Sequence, residues 1–187
     1  AERINEVLES VNDIVPGTVT SAPETGTVEF RDVSFAYPGS PENQLSHISF
    51  RLERGKTLAI IGATGSGKST LIGLIPRFYD ATEGAVLVDG VDVRDYAPGA
   101  LYDRLGYVTQ KAVLFSGSIE DNVLFGESAA EQTEETAAAA IEAAQAKEFV
   151  DKLPEGTDYH IAQLGRNVSG GQKQRLAIAR AIARGAE

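Results

Sequence analysis

The 187-residue chain contains no cysteine, no methionine and no tryptophan, and only two histidines. Without cysteine there can be no disulfide framework, no thiolate nucleophile and no Cys-based zinc site. No apolar run approaches the roughly 20 residues that a helix needs to cross a bilayer, and the N-terminus lacks the basic, apolar, small-residue order of a signal peptide. Positive charge is scarce as well. Seventeen Lys and Arg face 27 Asp and Glu, a net charge of −10 with a pI near 4.7, which argues against the basic face that a nucleic-acid partner requires. That deficit does not exclude a compact anion held by one local loop. A chain that starts at Ala1 and carries no Met is expected to be a piece excised from a longer protein. What is present, 42% hydrophobic and 24% charged residues, suits one ordinary globular domain with a subdomain.

Residues 2–15 place Ile4, Val7, Leu8 and Val11 on one helical face. Pro16 and residues 17–26 read as a linker. Thr27–Tyr37 alternates apolar and polar residues, with the phase slipping at Arg31–Asp32, and predicts a bulged strand. A turn at residues 38–41 leads to a second short strand over Ile48–Leu52. Leu58–Ile61 is wholly apolar, as a strand buried on both faces would be. Thr70–Ile75 has helical spacing until Pro76 stops it, and Ala85–Asp89 reads as a further strand. From Ser118 onward the composition shifts toward helix, with blocks over Glu134–Leu153 and Gly171–Arg184. The Ala/Glu/Thr-rich stretch at 129–140 is expected to be an exposed helix.

The most informative segment is Gly62-Ala63-Thr64-Gly65-Ser66-Gly67-Lys68-Ser69, which fits G-x-x-x-x-G-K-S/T at every fixed position. Its glycines, Gly62, Gly65 and Gly67, let successive backbone N–H groups turn inward, and Thr64, Ser66 and Thr70 complete the lining around anionic oxygens. The loop runs into a helix N-terminus, whose unpaired N–H groups favour phosphate. Lys68 can bridge the outer phosphates of ATP as a point charge, and the Ser69 hydroxyl can ligate Mg²⁺. A Gly-rich turn that merely joins a strand to a helix is the plain alternative. The buried strand before it and the apolar helix after it favour the phosphate loop.

A second constellation reads Val168-Ser169-Gly170-Gly171-Gln172, followed by KQRLAIARA. Taken alone, Ser169 is an N-cap ahead of exposed helix amides, a second anion site made without lysine. Together with the first loop it resembles the ABC transporter family, whose signature is LSGGQ at the start of a helix. Only Val168 departs from it. The resemblance implies that each ATP is sandwiched between the phosphate loop of one domain and the signature helix of another, head to tail. Ser169, Gly170, Gly171 and Gln172 would then face a nucleotide held by a second nucleotide-binding domain, in a homodimer or a heterodimer. It also implies that Tyr37 stacks on adenine and that Gln110 helps to hold Mg²⁺ and orient water, giving Lys68 and Gln110 the catalytic roles. The stretch Lys111–Asn122 resembles the exporter branch, where it lies near a transmembrane domain. By the same resemblance residues 1–15 look like the exit of a membrane-domain helix, and the chain would work at the cytoplasmic face of the plasma membrane.

The implied fold class is α/β: a P-loop NTPase core with a mostly parallel sheet, an N-terminal antiparallel β subdomain and an α-helical ABC subdomain. The expected division is a linker over 1–26, an ATP-binding core and β subdomain over 27–94, and a Q-loop and helical subdomain over 95–187. Two departures qualify this. The sequence stops at Glu187, where the family continues into the Walker B strand, so the Mg²⁺-positioning Asp, the catalytic Glu and the switch His have no counterpart. The chain as given is expected to bind nucleotide weakly, to hydrolyse it poorly and to be marginally stable. Leu164-Gly165-Arg166-Asn167 is shorter than the usual loop before the signature and lacks its Glu, as in one subunit of heterodimeric exporters. His47 and His160 are expected to be surface residues. The alternatives are a soluble ABC ATPase linked to nucleic acid, which the acidic charge disfavours, an ATP-dependent dimerisation module without turnover, and a P-loop kinase, which would lack the signature helix.

Overall fold

The computed structural model of the chain describes residues 14–126 and 131–186. The helix expected over residues 2–15 lies almost wholly outside them. Two compact units divide the chain, Ala1–Leu101 and Tyr102–Glu187.

The first unit is built on an antiparallel sheet of order β2-β1-β3-β4, with β1 at Val28–Phe35, β2 at Leu45–Leu52, β3 at Glu83–Val88 and β4 at Val91–Asp92. β1 is central and pairs with both neighbours, Phe30 standing opposite Phe50 on one side and Val86 on the other. The expected phase slip is present. The register shifts between Phe30 and Val33, and Asp32 has a φ of 49°, a conformation that a short polar side chain tolerates. The slip returns Val33 and Phe35 to the core face after Phe30, and all three are buried. Phe30 and Phe50 stack at 4.7 Å between ring centroids. The β3–β4 turn places Asp89 and Gly90 both at positive φ, the hairpin geometry that Asp-Gly favours. Tyr96 is fully buried and donates its hydroxyl proton to the Val88 carbonyl at 2.9 Å. Helix α1 spans Lys68–Leu74 and buries Thr70, Leu71, Gly73 and Leu74. In the expected linker, Val19 N–H donates to Asp95 O and Ala97 N–H to Val19 O.

Leu58–Ile61 differs from its expectation. It forms no ladder among the described residues, and Ile61 is 92% and Leu58 45% exposed. An apolar run shows that a strand is suited to cover on both faces, but cover comes from neighbours, and none of the described strands pairs with this one. The antiparallel β piece and the helical piece of the expected α/β fold are both present.

The second unit is mainly helical. After α2 (Pro98–Tyr102), which lies at the end of the first unit, it contains α3 (Ile119–Val123), α4 (Glu134–Ala143), α5 (Lys147–Val150), α6 (Gly170–Ala183) and a small hairpin of β5 (Gly117–Ser118) with β6 (His160–Ile161). Its core joins Ile119, Val123, Ile141, Ile161 and Leu176 to Ala137, Ala140, Ala179 and Ala183. The alanines of α4 therefore serve packing, since small side chains let helices approach closely. The stretch at 129–140 is thus not a wholly exposed helix. Its described part begins as a helix at Glu134, capped by the Thr133 side chain, and buries Ala137 and Ala140.

Asn122, 2% exposed, ties this unit together. Its side chain accepts from Phe115 N–H at 2.8 Å and from Arg180 Nη2 at 3.2 Å, and donates to the Phe115 and Ser118 carbonyls, each at 2.9 Å. Asn122→Ala strands these partners in a buried site and is expected to cost about 2–3 kcal/mol, read from the urea midpoint.

Candidate functional site

The phosphate-loop sequence forms an exposed turn from Gly62 to Ser66, closed by a buried Gly67 at the N-cap of α1. Gly67 has φ 86° and ψ 4°, a region open to glycine at little cost. This turn leads the chain into the helix. Among the described residues, no hydrogen-bond acceptor is taken by the amides of Gly65, Gly67, Lys68 or Ser69. The Lys68 ammonium folds back over the turn and donates to Gly62 O at 2.9 Å, Ala63 O at 2.6 Å and Ser66 Oγ at 3.2 Å. The loop thus holds its shape around its own cation, with unpaired amides beside it.

A Cβ built on Gly67 would lie 2.8 Å from Leu45 Cδ2 and 3.1 Å from Gln44 O. Together with the positive φ, this predicts that Gly67→Ala costs about 2–4 kcal/mol. A lowered urea midpoint would show it, accompanied by weaker ATP binding because the loop is displaced.

A cleft of about 210 Å³ opens here, lined by Tyr37, Gln44 and the residues from Gly65 to Thr70. It is smaller than the roughly 300 Å³ at which whole-ligand pockets begin, so it suits a polyphosphate tail with the rest of a ligand outside against Tyr37. Tyr37 is half-buried and shares a 2.8 Å hydrogen bond with Thr70 Oγ1. Gln44 donates to Gly65 O at 3.1 Å. Sequence reasoning missed Gln44 because nothing in its turn-like surroundings marks it. A larger open groove of about 480 Å³ in the second unit is lined by Glu142, Gln145, Lys147, Glu148, Asp151 and Arg175. It includes none of the residues singled out from the sequence.

In the second unit Ser169 caps α6 through a reciprocal capping box. Its hydroxyl accepts from Gln172 N–H at 3.3 Å, and Gln172 Oε1 accepts from Ser169 N–H at 2.7 Å. The box satisfies two of the terminal amides and leaves those of Gly170 and Gly171, both exposed, without an acceptor among the described residues. The Gln172 carbonyl oxygen is engaged at its own helix. Val168 packs half-buried on the unit's core, which any medium-sized apolar residue can do. The preceding loop places Leu164 at φ 59° and is pinned by Lys173 Nζ donating to Leu164 O and by Asn167 donating to His160 O.

Gln110 lies in an exposed bend of the second unit. His47 and His160 are at the surface, His47 bonded to Asp32 and His160 to Ser116. Phe115 and Phe125 stack at 4.3 Å and remain about half exposed, with the Arg180 guanidinium 5.5 and 5.6 Å from their centroids. Burial lowers the Arg180 pKa. The ring faces and the Asn122 and Val113 carbonyls receive its charge. Among the described residues no group of three or more His, Cys, Asp and Glu could hold a metal, and no helix is long and apolar enough to cross a membrane.

Comparison with known proteins places this geometry. The ABC transporter family model matches residues 45–187. An ATP-dependent lipid A-core flippase of Aromatoleum aromaticum is 45% identical over 186 residues, which cover 100% of this chain and 31% of that protein. The flippase of Pseudomonas aeruginosa is 45% identical over 182 residues, 97% of this chain and 30% of that one. A bacterial Atm1-family ABC exporter solved with ATP bound superposes with a TM-score of 0.85 at 33% identity, covering 99% of this chain and 32% of the exporter chain. The chain therefore spans about a third of the length of the relatives it matches. With the phosphate loop opening on its cleft and a serine-capped helix starting at Gly170, the match is one of fold and of local chemistry together, and the chain belongs to the ABC transporter family.

Proposed function

We propose that this chain is the ATP-binding and ATP-hydrolysing domain of an exporter, working at the cytoplasmic face of a membrane. The observation that carries the reading is the loop whose amides at Gly65, Gly67, Lys68 and Ser69 find no acceptor among the described residues, beside the Lys68 ammonium. Such an arrangement suits the oxygens of a triphosphate. When bound, MgATP supplies the phosphoryl group that water accepts. Loop amides would hold the phosphates, Lys68 would neutralise their developing charge, and the exposed Ser69 hydroxyl would serve the Mg²⁺ shell; the family resemblance gives Gln110, for its part, a role toward Mg²⁺ and water. Tyr37 offers a flat ring to the base, which gives stacking without reading base edges.

The same reading gives the chain two partners. A second nucleotide-binding domain receives Ser169, Gly170, Gly171 and Gln172 across its own bound ATP, and closing of the pair drives transport. A transmembrane domain meets the second unit near the exposed Phe115 and Phe125 rings. The flippase and exporter relatives, each about three times the length of this chain, support that assembly. Titration of the intact protein with ATP, by calorimetry with and without Mg²⁺, tests the core of it. Saturable binding that weakens about tenfold when Mg²⁺ is chelated is expected, whereas no saturable ATP binding in either condition removes the proposal.

A further inference from the structure

We infer that Tyr79 is a positioning residue for the Tyr37 ring, an aromatic buttress that fixes the plane against which a nucleotide base stacks. The inference rests on the reading of Tyr37 as the base platform and adds to it the element that sets its orientation.

The sequence alone gives Tyr79 no role, because it follows the Pro76 that ends α1 and carries no periodic pattern. The structure places it in a three-ring cluster. Phe35, 2% exposed, forms the floor at the end of β1. Tyr37 stands edge-on to Phe35, with centroids 4.9 Å apart and planes at 81°, and edge-on to Tyr79 at 5.3 Å and 87°. Tyr79 in turn rests on Phe35 at 5.5 Å. Two near-perpendicular neighbours leave a ring little freedom to rotate, and edge-to-face contacts are the favourable ones for aromatic quadrupoles. The hydrogen bond shared by the Tyr37 hydroxyl and Thr70 Oγ1 fixes the remaining coordinate and links the ring to the first turn of α1. Tyr37 is thereby held at the mouth of the cleft it lines.

The segment that carries Tyr79 is itself clamped to β1. Arg77, buried and at φ 57°, donates to both Asp80 carboxylate oxygens at 2.6 and 3.0 Å and to Arg94 O at 3.1 Å. Thr82 N–H donates to Ser34 O, and Ala36 N–H, between Phe35 and Tyr37, donates to Thr82 Oγ1 at 3.1 Å. Tyr79 therefore reaches Tyr37 from a fixed base. Tyr79 itself is 41% exposed, so it is not a core residue.

Positioning and general stability are separated by comparing ATP with inorganic tripolyphosphate, which offers the phosphates and no base. In the intact protein, Tyr79→Ala is expected to weaken ATP binding about 3- to 10-fold, the scale of a lost edge-to-face contact, while tripolyphosphate affinity stays within about twofold. Tyr79→Phe keeps the ring and is expected to restore ATP affinity. An equal loss for both ligands in Tyr79→Ala would make the residue merely structural and overturn the inference. Unchanged ATP affinity in Tyr79→Ala, with a selective ATP loss in Tyr37→Ala, would also overturn it while leaving Tyr37 as the platform. If Tyr37→Ala itself spares ATP binding, the platform reading fails and the inference with it.

Discussion

Lys68→Ala is expected to lower ATP affinity about 10- to 100-fold, while the urea midpoint of the protein moves by no more than about 1 kcal/mol equivalent. The large effect follows from the charge balance. With a net charge of −10 the protein as a whole repels a polyphosphate. At physiological salt such repulsion is screened over about 8 Å, so binding depends on charge within the loop. The Lys68 ammonium supplies it and sits against Gly62 O, Ala63 O and Ser66 Oγ. Charge-assisted contacts from a lysine to phosphate are about twice as strong as neutral ones. The small effect on stability follows from exposure: the three contacts of Lys68 lie at the surface, where water replaces them readily. Calorimetric titration beside denaturant unfolding reads both quantities. Equal ATP affinities in the two proteins would mean that the loop is only a turn.

How much of this could be read from residues alone depended on where the determining contacts lie. The phosphate loop was legible because its chemistry is local: glycines at fixed spacing, a lysine and a hydroxyl next to a helix start. The Arg31–Asp32 bulge was legible for the same reason, since the apolar phase slips within one strand. The cap at Ser169 followed from three consecutive residues, although the return of Gln172 onto Ser169 N–H did not, because one side chain can serve either the cap or a partner. Contacts between distant segments were not readable. Tyr79 meets Tyr37 where Thr82 ties its segment to the end of β1, with Arg77 and Asp80 bonded within the segment. The alanines of α4 looked like those of a solvent-facing helix, and burial against α6 became visible only when both helices were in place. Leu58–Ile61 was the reverse case: its apolar run described what the strand can accept, not what covers it.

Gly171→Asp is expected to leave ATP binding at the phosphate loop unchanged, to raise stability slightly, and to reduce ATP-driven turnover of the intact protein by more than about 100-fold. Within the chain, nothing requires glycine at this position. A Cβ built at Gly170 or Gly171 meets nothing within 4 Å beyond its chain neighbours and its own helix backbone, and neither residue has a positive φ. Glycine in a helix is worse than most residues by about 0.5–1 kcal/mol, and an acidic side chain in the first turn gains from the helix dipole. Local physics therefore favours the substitution. The bare backbone at the start of α6 makes sense only if something from outside must approach it closely. On the proposed reading that something is the triphosphate of a neighbouring domain, which a carboxylate would both block and repel. Chemical denaturation, ATP titration and steady-state hydrolysis, measured on the same variant, separate the effects. A stabilised protein that binds ATP and no longer turns it over is the expected outcome. Full turnover by Gly171→Asp would show that no anion docks on this helix, and the head-to-tail pairing would have to be abandoned.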